Sequence, residues 1–349
     1  MERMNMDKFE DLKLALGRRD FLKGATGGAA ALLATRAGGN ALVKGAAVGA
    51  AALLATSAGD ALANGITAYT LTADEVLWDA GGGKMVNAYA YAVDGGPPSV
   101  PGATLRARAG DILQITVVNN LSEETTVHWH GVHPIPNGMD GVPFVTQPPI
   151  AANGGSFVYT FPAPPPGTYV YHTHFNVLDQ LARGLYGLLV VEDRLPGTRS
   201  ANPHGQRAHE RAYNRELPLV LGEFPDSIVV GGGDVALING KSFYGLGAVG
   251  DPTMLNRLIF PMRRGERVLF RVWNASNEVH PMHTHGMKYI VVAADGMDLE
   301  VPIHRHNMAV SPGETYDIIV HADTPGAWLF HCHNIEHVVE GMVAVNIVS

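Results

Sequence analysis

The chain has 349 residues, 46% of them hydrophobic and 17% charged, and its formal net charge is -8. This length allows two domains with a sizeable core, and the acidic balance argues against a nucleic-acid-binding protein. The single Cys excludes an internal disulfide, and 16 His beside it favour a metal-binding function.

The N-terminal segment differs in composition from the rest of the chain. Arg18 and Arg19 precede a weakly apolar stretch that occurs twice, as GAAALLATRAGGNAL and GAAALLATSAGDAL. Residues 1–63 are predicted to be a signal peptide of the twin-arginine type, so that the mature protein is periplasmic or secreted. An ordinary Ala-rich helix with a chance arginine pair is the alternative. The apolar runs are shorter than the roughly 20 residues that cross a bilayer, so no stable membrane span is expected.

The remainder of the chain repeats itself. HWHG at 128–131 is matched by HTHG at 283–286, an offset of 155 residues. PGTYVYHTH at 166–174 is matched by PGAWLFHCH at 325–333, an offset of 159 residues. Repeats of this length indicate two copies of one domain.

Both copies carry the pattern of β-strands. Segments such as LQITVVNN and RVLFRVWN alternate and are rich in Val, Ile and Thr, with turn residues between them. We predict an all-β fold of two antiparallel Greek-key β-sandwiches behind the export leader. The domains are placed at 64–195 and 216–349. The linker is placed at 196–215, where the apolar periodicity vanishes and charge rises.

Four H-x-H motifs lie inside the repeat. Strand side chains alternate between faces, so both imidazoles of each motif point to one side and the middle residue to the other. One such motif is most simply an exposed pair of His, but four in a matched repeat predict metal binding. Imidazole suits Cu, Zn, Fe and Ni. The eight imidazoles are those of His128, His130, His172, His174, His283, His285, His331 and His333.

The motif HCHNIEHVVEGM narrows the choice of metal. Cys332 lies between two of these His, His337 follows five residues later and Met342 five after that, and His280 stands upstream in HPMHTHG. Two imidazoles, a thiolate and a weak axial Met are the ligands of a blue-copper electron-transfer site. The alternative is that Cys332 is a small buried hydrophobe and Met342 fills the core.

Together, HWHG, HTH, HPMHTHG and HCH-x3-H-x4-M resemble the motifs of multicopper oxidases, over nearly all of residues 66–349. The resemblance implies cupredoxin-like domains and about four coppers per chain. Thr173 stands where the second copy has Cys332, so the first domain is expected to lack a type-1 copper. The implied ligands are His280, Cys332, His337 and Met342 for type-1 copper, His128 and His283 for type-2 copper, and His130, His172, His174, His285, His331 and His333 for the type-3 pair.

The copper-free middle domain of three-domain family members is missing, so the chain is similar to two-domain laccases. That resemblance implies a homotrimer in which each three-copper cluster lies between the first domain of one chain and the second domain of the next. A cluster folded within one chain is the alternative.

The resemblance implies an oxidase that takes single electrons from a reducing substrate and reduces O2 to water. His337 is expected to receive the electrons, and Cys332 to pass them to the cluster through its neighbours His331 and His333. Asp140, in NGMDG, matches an acidic residue that the family places near the type-2 copper. It is interpreted either as a proton relay or support for a ligand, or as a turn residue.

Two other functions are weighed against this one. A copper nitrite reductase also has two such domains, but that family carries its blue-copper Cys in the first domain. A copper carrier or storage protein would turn nothing over, and the 12 Met are scattered rather than grouped to capture Cu(I). The electron donor is left open among phenols, aromatic amines, Cu(I), Mn(II) and Fe(II).

Overall fold

Two β-sandwiches follow one another along the chain. The computed structural model describes residues 65–192, 212–243 and 257–349. Alternation between core and solvent builds the strands, as in ILQITVVN, where every second side chain is buried. Residues 65–192 form β1 (Ile66–Asp79), β2 (Met85–Val93), β3 (Gly102–Arg108), β4 (Ile112–Asn119), β5 (His128–His130), β6 (Gly155–Pro162), β7 (Gly167–His172) and β8 (Tyr186–Glu192).

The first sandwich pairs a sheet of order β2-β1-β4-β6 with a sheet of order β3-β8-β7-β5. Strand β1 runs parallel to β4, and β3 runs parallel to β8; the other pairs are antiparallel. A short helix, α1 (Val177–Ala182), follows β7. The register of β5 against β7 places His128 opposite His172, so two H-x-H motifs meet at one sheet edge.

The second sandwich repeats this plan with a six-stranded sheet, β10-β9-β12-β17-β14-β15, and a five-stranded sheet, β11-β19-β18-β13-β16. The helix α2 (Ile335–Val339) follows β18, as α1 follows β7. The strands are β9 (Arg215–Phe224), β10 (Val235–Ile238), β11 (Ile259–Met262), β12 (Arg267–Asn274), β13 (His280–Thr284), β14 (Tyr289–Ala294), β15 (Met297–Arg305), β16 (Asn307–Val310), β17 (Thr315–His321), β18 (Gly326–Cys332) and β19 (Val343–Val348).

The predicted all-β fold of two cupredoxin-like sandwiches is confirmed, and the matched strand pairs explain the sequence repeat. Strand β9 runs parallel to β12 as β1 does to β4, and β11 runs parallel to β19 as β3 does to β8. The register of β13 against β18 places His283 opposite His331, the counterpart of the pair in the first sandwich.

Each sandwich has an apolar core of its own, and a third apolar cluster lies between the two sandwiches. It joins Val170 and Tyr186 of the first to Phe224 and Trp273 of the second, all of them buried. Beside it, Arg271 pairs with Asp317 at 3.1 Å, and Thr168 of β7 donates a 2.6 Å hydrogen bond to the same carboxylate. These contacts fix β7, which carries His172, against the second sandwich.

Several sequence predictions fall outside the described residues. The signal peptide at 1–63 lies there entirely, as does the predicted linker at 196–215 up to residue 211. Strand β9 begins at Arg215, the last residue of that linker. Within the described ranges, no helix has the length and apolar character needed to cross a membrane.

Candidate metal centres

One candidate centre is a buried group of two imidazoles and the thiol. Cys332 ends β18, His280 begins β13 and His337 lies on α2. The Cys332 Sγ atom lies 3.7 Å from His280 Nδ1 and 3.6 Å from His337 Nδ1, and the two Nδ1 atoms are 3.0 Å apart. Metal bonds of roughly 2.0–2.3 Å in a trigonal plane separate such atoms by about 3.5–3.8 Å. The group therefore fits one metal ion with little movement.

The protonation of this group favours a metal. Burial lowers the pKa of His280 to about 3, so its ring is neutral and can donate a lone pair. Burial also lowers the pKa of His337 and raises that of the Cys332 thiol to about 11. A thiolate in this place therefore needs a cation to displace its proton.

Met342 is held next to Cys332 and His337 by the backbone. The Cys332 N–H donates to the Met342 carbonyl at 3.1 Å, and the Met342 N–H donates to the His337 carbonyl at 2.8 Å. Met342 is fully buried and belongs to the same apolar cluster as Cys332. This proximity is what an axial ligand requires.

Ser276 is a residue of this centre that sequence reasoning missed. Its hydroxyl lies 2.7 Å from His280 Nε2 and donates to Asn274 Oδ1, so it accepts from the imidazole. An N–H held in this way fixes the ring and leaves Nδ1 for a metal. The signal available in the sequence was the segment ASNEV directly before His280.

A second candidate centre gathers four imidazoles of the first sandwich. Nitrogen atoms of His128, His130 and His172 lie within 4.8 Å of one another. The His174 ring centroid is 5.5 Å from that of His128. His128 Nδ1 donates to the Asp140 carbonyl and His172 Nδ1 to the Thr173 carbonyl, each at 2.7 Å. Both rings therefore keep Nε2 for a metal.

A third candidate centre gathers the matching four imidazoles of the second sandwich. Nitrogen atoms of His283, His285 and His331 lie within 4.8 Å of one another, and His333 stands 5.5 Å from His283 between ring centroids. His283 Nδ1 donates to the His306 carbonyl at 2.7 Å and His331 Nδ1 to the Cys332 carbonyl at 2.6 Å. The donor pattern of the first sandwich thus recurs, and His306 is a partner to which the sequence analysis assigned no specific role.

The two four-His groups are separate in the described chain. Ring contacts join members within each group and none joins a member of one to a member of the other. His172 stacks instead on Trp273, and His130 faces Gly313. In the second group, His285 and His333 are exposed. The described chain therefore presents two separate groups of four imidazoles each.

The first sandwich has a hydrogen-bonded cluster at the position where the second has the group of His280, Cys332 and His337, here called the thiolate centre. Offsets of 155 and 159 align Thr125 with His280 and Thr173 with Cys332. The hydroxyls of Thr125 and Thr173 donate to Gln180 Oε1 at 2.8 and 2.6 Å, and all three residues are fully buried. A neutral hydroxyl–amide cluster has no soft ligand for copper, so these residues account for the expected lack of a type-1 copper.

Asp140 lies beside the first four-His group. Its carbonyl accepts from His128 Nδ1, and its carboxylate Oδ1 is 3.4 Å from the same nitrogen. The neighbouring Gly141 has φ +84°, and a side chain there would collide with the Val127 carbonyl. The turn is thereby pressed against the strand that carries His128, which places Asp140 both in a turn and next to a ligand.

His337 is buried, only 7% exposed, but it lines a cavity. The cavity has a volume of about 550 Å³ and is walled on one side by Val177, Leu178 and Leu181 of α1. Glu223 Oε1 lies 3.5 Å from His337 Nε2, and burial and three neighbouring carboxylates raise the pKa of Glu223 to about 7. No Lys or Arg is among the described lining residues, whose carboxylates are those of Glu223, Asp234, Glu278, Glu336 and Glu340.

Comparison with known proteins identifies the family. Models of multicopper oxidase domains match residues 85–196 and 239–349. A solved structure described as the multicopper oxidase mgLAC is 30% identical with a TM-score of 0.68, over 81% of this chain and 86% of that one. The chain belongs to the multicopper oxidase family. The cofactor of this family is copper, and the three candidate centres supply soft and imidazole ligands that fit it.

Curated relatives of this multicopper oxidase are longer proteins. The Escherichia coli copper resistance protein A is 29% identical over 73% of this chain and 46% of its own length. A putative laccase-11 of Oryza sativa subsp. japonica is 33% identical over 64% of this chain and 41% of its own length. The chain thus spans less than half of either relative.

Proposed function

We propose that this multicopper oxidase couples one-electron oxidation of a reducing substrate to four-electron reduction of O2 to water. The position of Cys332 carries the proposal. Its Sγ belongs to the buried thiolate centre, while the residues on either side of it, His331 and His333, belong to a four-His group. Two covalently adjacent centres are what electron transfer from a donor to a cluster requires.

The proposed type-1 ligands are His280, Cys332, His337 and the axial Met342. The proposed type-2 ligands are His128 and His283, and the proposed type-3 ligands are His130, His172, His174, His285, His331 and His333. Bound copper would supply the one-electron redox steps and the site of O2 reduction. Two observations support these ligand sets. In each group, nitrogen or sulfur atoms lie close enough together to bind a metal ion. Four imidazoles also donate their Nδ1 proton to a backbone carbonyl, which leaves Nε2 free to bind the metal.

The protein's own groups bind the donor and move protons. The cavity beside His337 is proposed to bind the reducing substrate, because it brings a donor within contact of an imidazole of the type-1 centre. His337 is proposed to accept the electron. Asp140 is proposed to carry protons toward the cluster, since its carboxylate lies 3.4 Å from His128.

Oxygen uptake tests the activity. Copper-loaded protein should consume O2 with a phenolic or low-valent metal donor and release no hydrogen peroxide. Nitrite offered with the same donor under argon tests the nitrite reductase alternative, for which nitric oxide would be the product. Bound copper without turnover of any donor would instead support a carrier and contradict the proposal.

We also propose that the clusters form between chains of a homotrimer. Each four-His group is then one half-site of a cluster. The support is that the two groups do not meet within the described chain and that His285 and His333 are exposed. A head-to-tail ring joins the first sandwich of one chain to the second of the next.

Complementation tests this arrangement. His130→Ala and His285→Ala each remove one half-site, so each variant alone should be inactive. Refolded together in equal amounts with copper, they should regain about a quarter of wild-type activity, because random mixing restores one cluster in four. A mixture as inactive as its parents, while wild type refolds with activity, would place the cluster within one chain.

Export by the twin-arginine route is proposed from Arg18 and Arg19. Replacing both by Lys should keep the protein in the cytoplasm. Normal appearance of this variant outside the cytoplasm would contradict the proposed route.

A further inference from the structure

Two buried aromatic rings connect the cavity beside His337, called the donor cavity below, to the four-His group of the first sandwich. Trp273 lies in β12, and its ring stacks on that of His172 with centroids 6.3 Å apart and planes 22° apart. Tyr186 begins β8 and contacts the Trp273 ring edge-on, with centroids 5.5 Å apart. Trp273 is 2% exposed and Tyr186 3% exposed.

Tyr186, the ring that does not contact His172 directly, reaches the cavity lined by His337. Tyr186 is one of the lining residues, together with Glu223 and His337. It inserts between the sandwiches because residue 222 is glycine, where a Cβ would lie 2.6 Å from the Tyr186 hydroxyl. A substrate in the cavity is thus separated from the His172 imidazole by two aromatic rings in contact.

Packing alone does not explain the choice of tryptophan at 273. The indole Nε1 is buried and has no hydrogen-bond partner within the described residues. An unpaired buried N–H costs stability, which Phe would avoid while filling most of the same space. The buried Nε1 of Trp129 likewise has no partner among the described residues, whereas Trp78 and Trp328 donate to the carbonyls of Gly240 and Thr324. Of these two buried rings, Trp273 is the one in contact with Tyr186 of the cavity wall.

We propose that Trp273 is a redox-active residue that passes single electrons from the donor cavity to the copper held by His172. The inference rests on the proposed function. In the proposed trimer, each chain contributes to two clusters, one through its second sandwich and one through its first. Electrons that pass through Cys332 would reach the cluster that contains His331 and His333 of the same chain. Electrons that pass through Trp273 would reach the other cluster, which contains His172 of that chain. Each donor cavity would then reach two clusters.

The step balances in electrons and protons. O2, the oxidant of the proposed function, would withdraw electrons from the copper that His172 would hold. One electron would then leave the indole ring toward that copper, and the indole would become a radical cation. It keeps its Nε1 proton because the described structure gives that proton no acceptor. One electron from the reducing substrate in the cavity, transferred through the Tyr186 contact, restores the indole; a phenolic substrate releases its proton to solvent.

The test blocks the thiolate route with Cys332→Ser. The copper-loaded trimer is reduced with dithionite, mixed with O2, freeze-quenched and examined by electron paramagnetic resonance for an organic radical. We expect a radical whose hyperfine pattern changes when the protein contains ring-deuterated tryptophan. In Cys332→Ser/Trp273→Phe the signal should fall at least tenfold. It should persist in the controls Cys332→Ser/Trp78→Phe and Cys332→Ser/Trp129→Phe, the latter removing the tryptophan between His128 and His130.

A radical unaffected by Trp273→Phe, a radical lost with Trp129→Phe, or no radical in Cys332→Ser that keeps its cluster coppers would overturn the proposal. If Trp273→Phe fails to fold or to bind copper, oxidised residues are mapped by mass spectrometry after exposing reduced Cys332→Ser to O2 without donor. Oxidation at Trp273 above that at Trp78 supports the relay, and equal oxidation contradicts it. Oxygen uptake by unsubstituted protein is measured separately, so that failure of the oxidase function is distinguished from failure of the relay.

Discussion

At the residue scale, burial and backbone hydrogen bonds prepare the side chains for a metal. The imidazoles of His280 and His172 both have pKa values lowered to about 3 by burial, so they stay neutral over the physiological range. His172 and His331 give their Nδ1 protons to the carbonyl of the next residue, which is Thr173 in one sandwich and Cys332 in the other. Tautomer and ring orientation are thereby set before any metal binds.

Replacing the thiol tests the type-1 assignment. Cys332→Ser should abolish the intense visible band of a thiolate–copper bond and lower copper content by about one per chain, because a hydroxyl is a poor ligand for this site. The remaining coppers should stay bound, since none of the proposed cluster ligands is changed. Visible absorption and metal analysis measure both effects. A variant that stays blue would contradict the assignment.

Replacing Asp140 separates proton delivery from structure. Asp140→Asn keeps the carbonyl that accepts from His128 but removes the charge 3.4 Å away. O2 reduction should slow by roughly 10²-fold, the usual contribution of a positioned acid or base, while substrate reduces the type-1 copper at the normal rate. Stopped-flow measurement of both steps checks this. Equal slowing of the two steps would assign Asp140 a structural role.

At the element scale, α1 and α2 both contribute residues to the cavity beside His337. Helix α2 carries His337, with Asn334 capping its start by accepting from the Glu336 N–H. Helix α1 belongs to the first sandwich and contributes the apolar wall. The cavity is therefore made by both sandwiches, and every carboxylate among its described lining residues belongs to the second.

That charge should select among donors. Glu278→Gln should raise KM for positively charged donors and lower it for negatively charged ones, each by about two- to fivefold, as expected for roughly 0.5–1 kcal/mol of attraction in a solvated cavity. Steady-state kinetics with a matched donor pair at low salt measures the effect. Glu300→Gln, an exposed carboxylate away from the cavity, is the control. Identical shifts in both variants would exclude a local charge effect.

At the scale of the whole molecule, a buried ion-pair network joins the two sandwiches. Arg271 and Asp317 are 5% and 1% exposed, and Arg271 also donates to Thr168 of the first sandwich at 2.8 Å. Glu216 bridges Arg271 to Arg106 on β3. Without Arg271, the buried Asp317 would lose the cation that pairs with it at 3.1 Å.

Removing Arg271 should therefore loosen the whole molecule. Arg271→Leu should lower the free energy of unfolding by about 3–5 kcal/mol, the usual cost of breaking a buried pair from one side. Glu192→Gln, which removes the half-exposed partner of Arg106, should cost less than about 1 kcal/mol. Urea denaturation of the copper-free proteins compares them. Similar losses in both variants would show that the buried pair contributes no more than the exposed one.

The sequence by itself determined the parts that local periodicity and repetition encode. Two-residue alternation predicted the strands and the common face of each H-x-H pair, and the buried Trp129, Thr173, Thr284 and Cys332 confirm that alternation. The repeat predicted two sandwiches, and the spacing around Cys332 predicted which residues would meet. The first two depend on neighbours along one strand or on equal positions in two copies, and the third depends on a motif whose spacing is short.

Only the tertiary structure decided which groups lie beside those residues. Ser276 on His280, the His306 carbonyl on His283 and Trp273 on His172 are contacts between strands or sandwiches, and no local pattern encodes them. The aligned Thr125 and Thr173 could be read from the repeat, but their shared partner Gln180 is placed by the fold. A chain of side-chain contacts depends on how two surfaces pack, and packing is a property of the folded molecule rather than of any one segment.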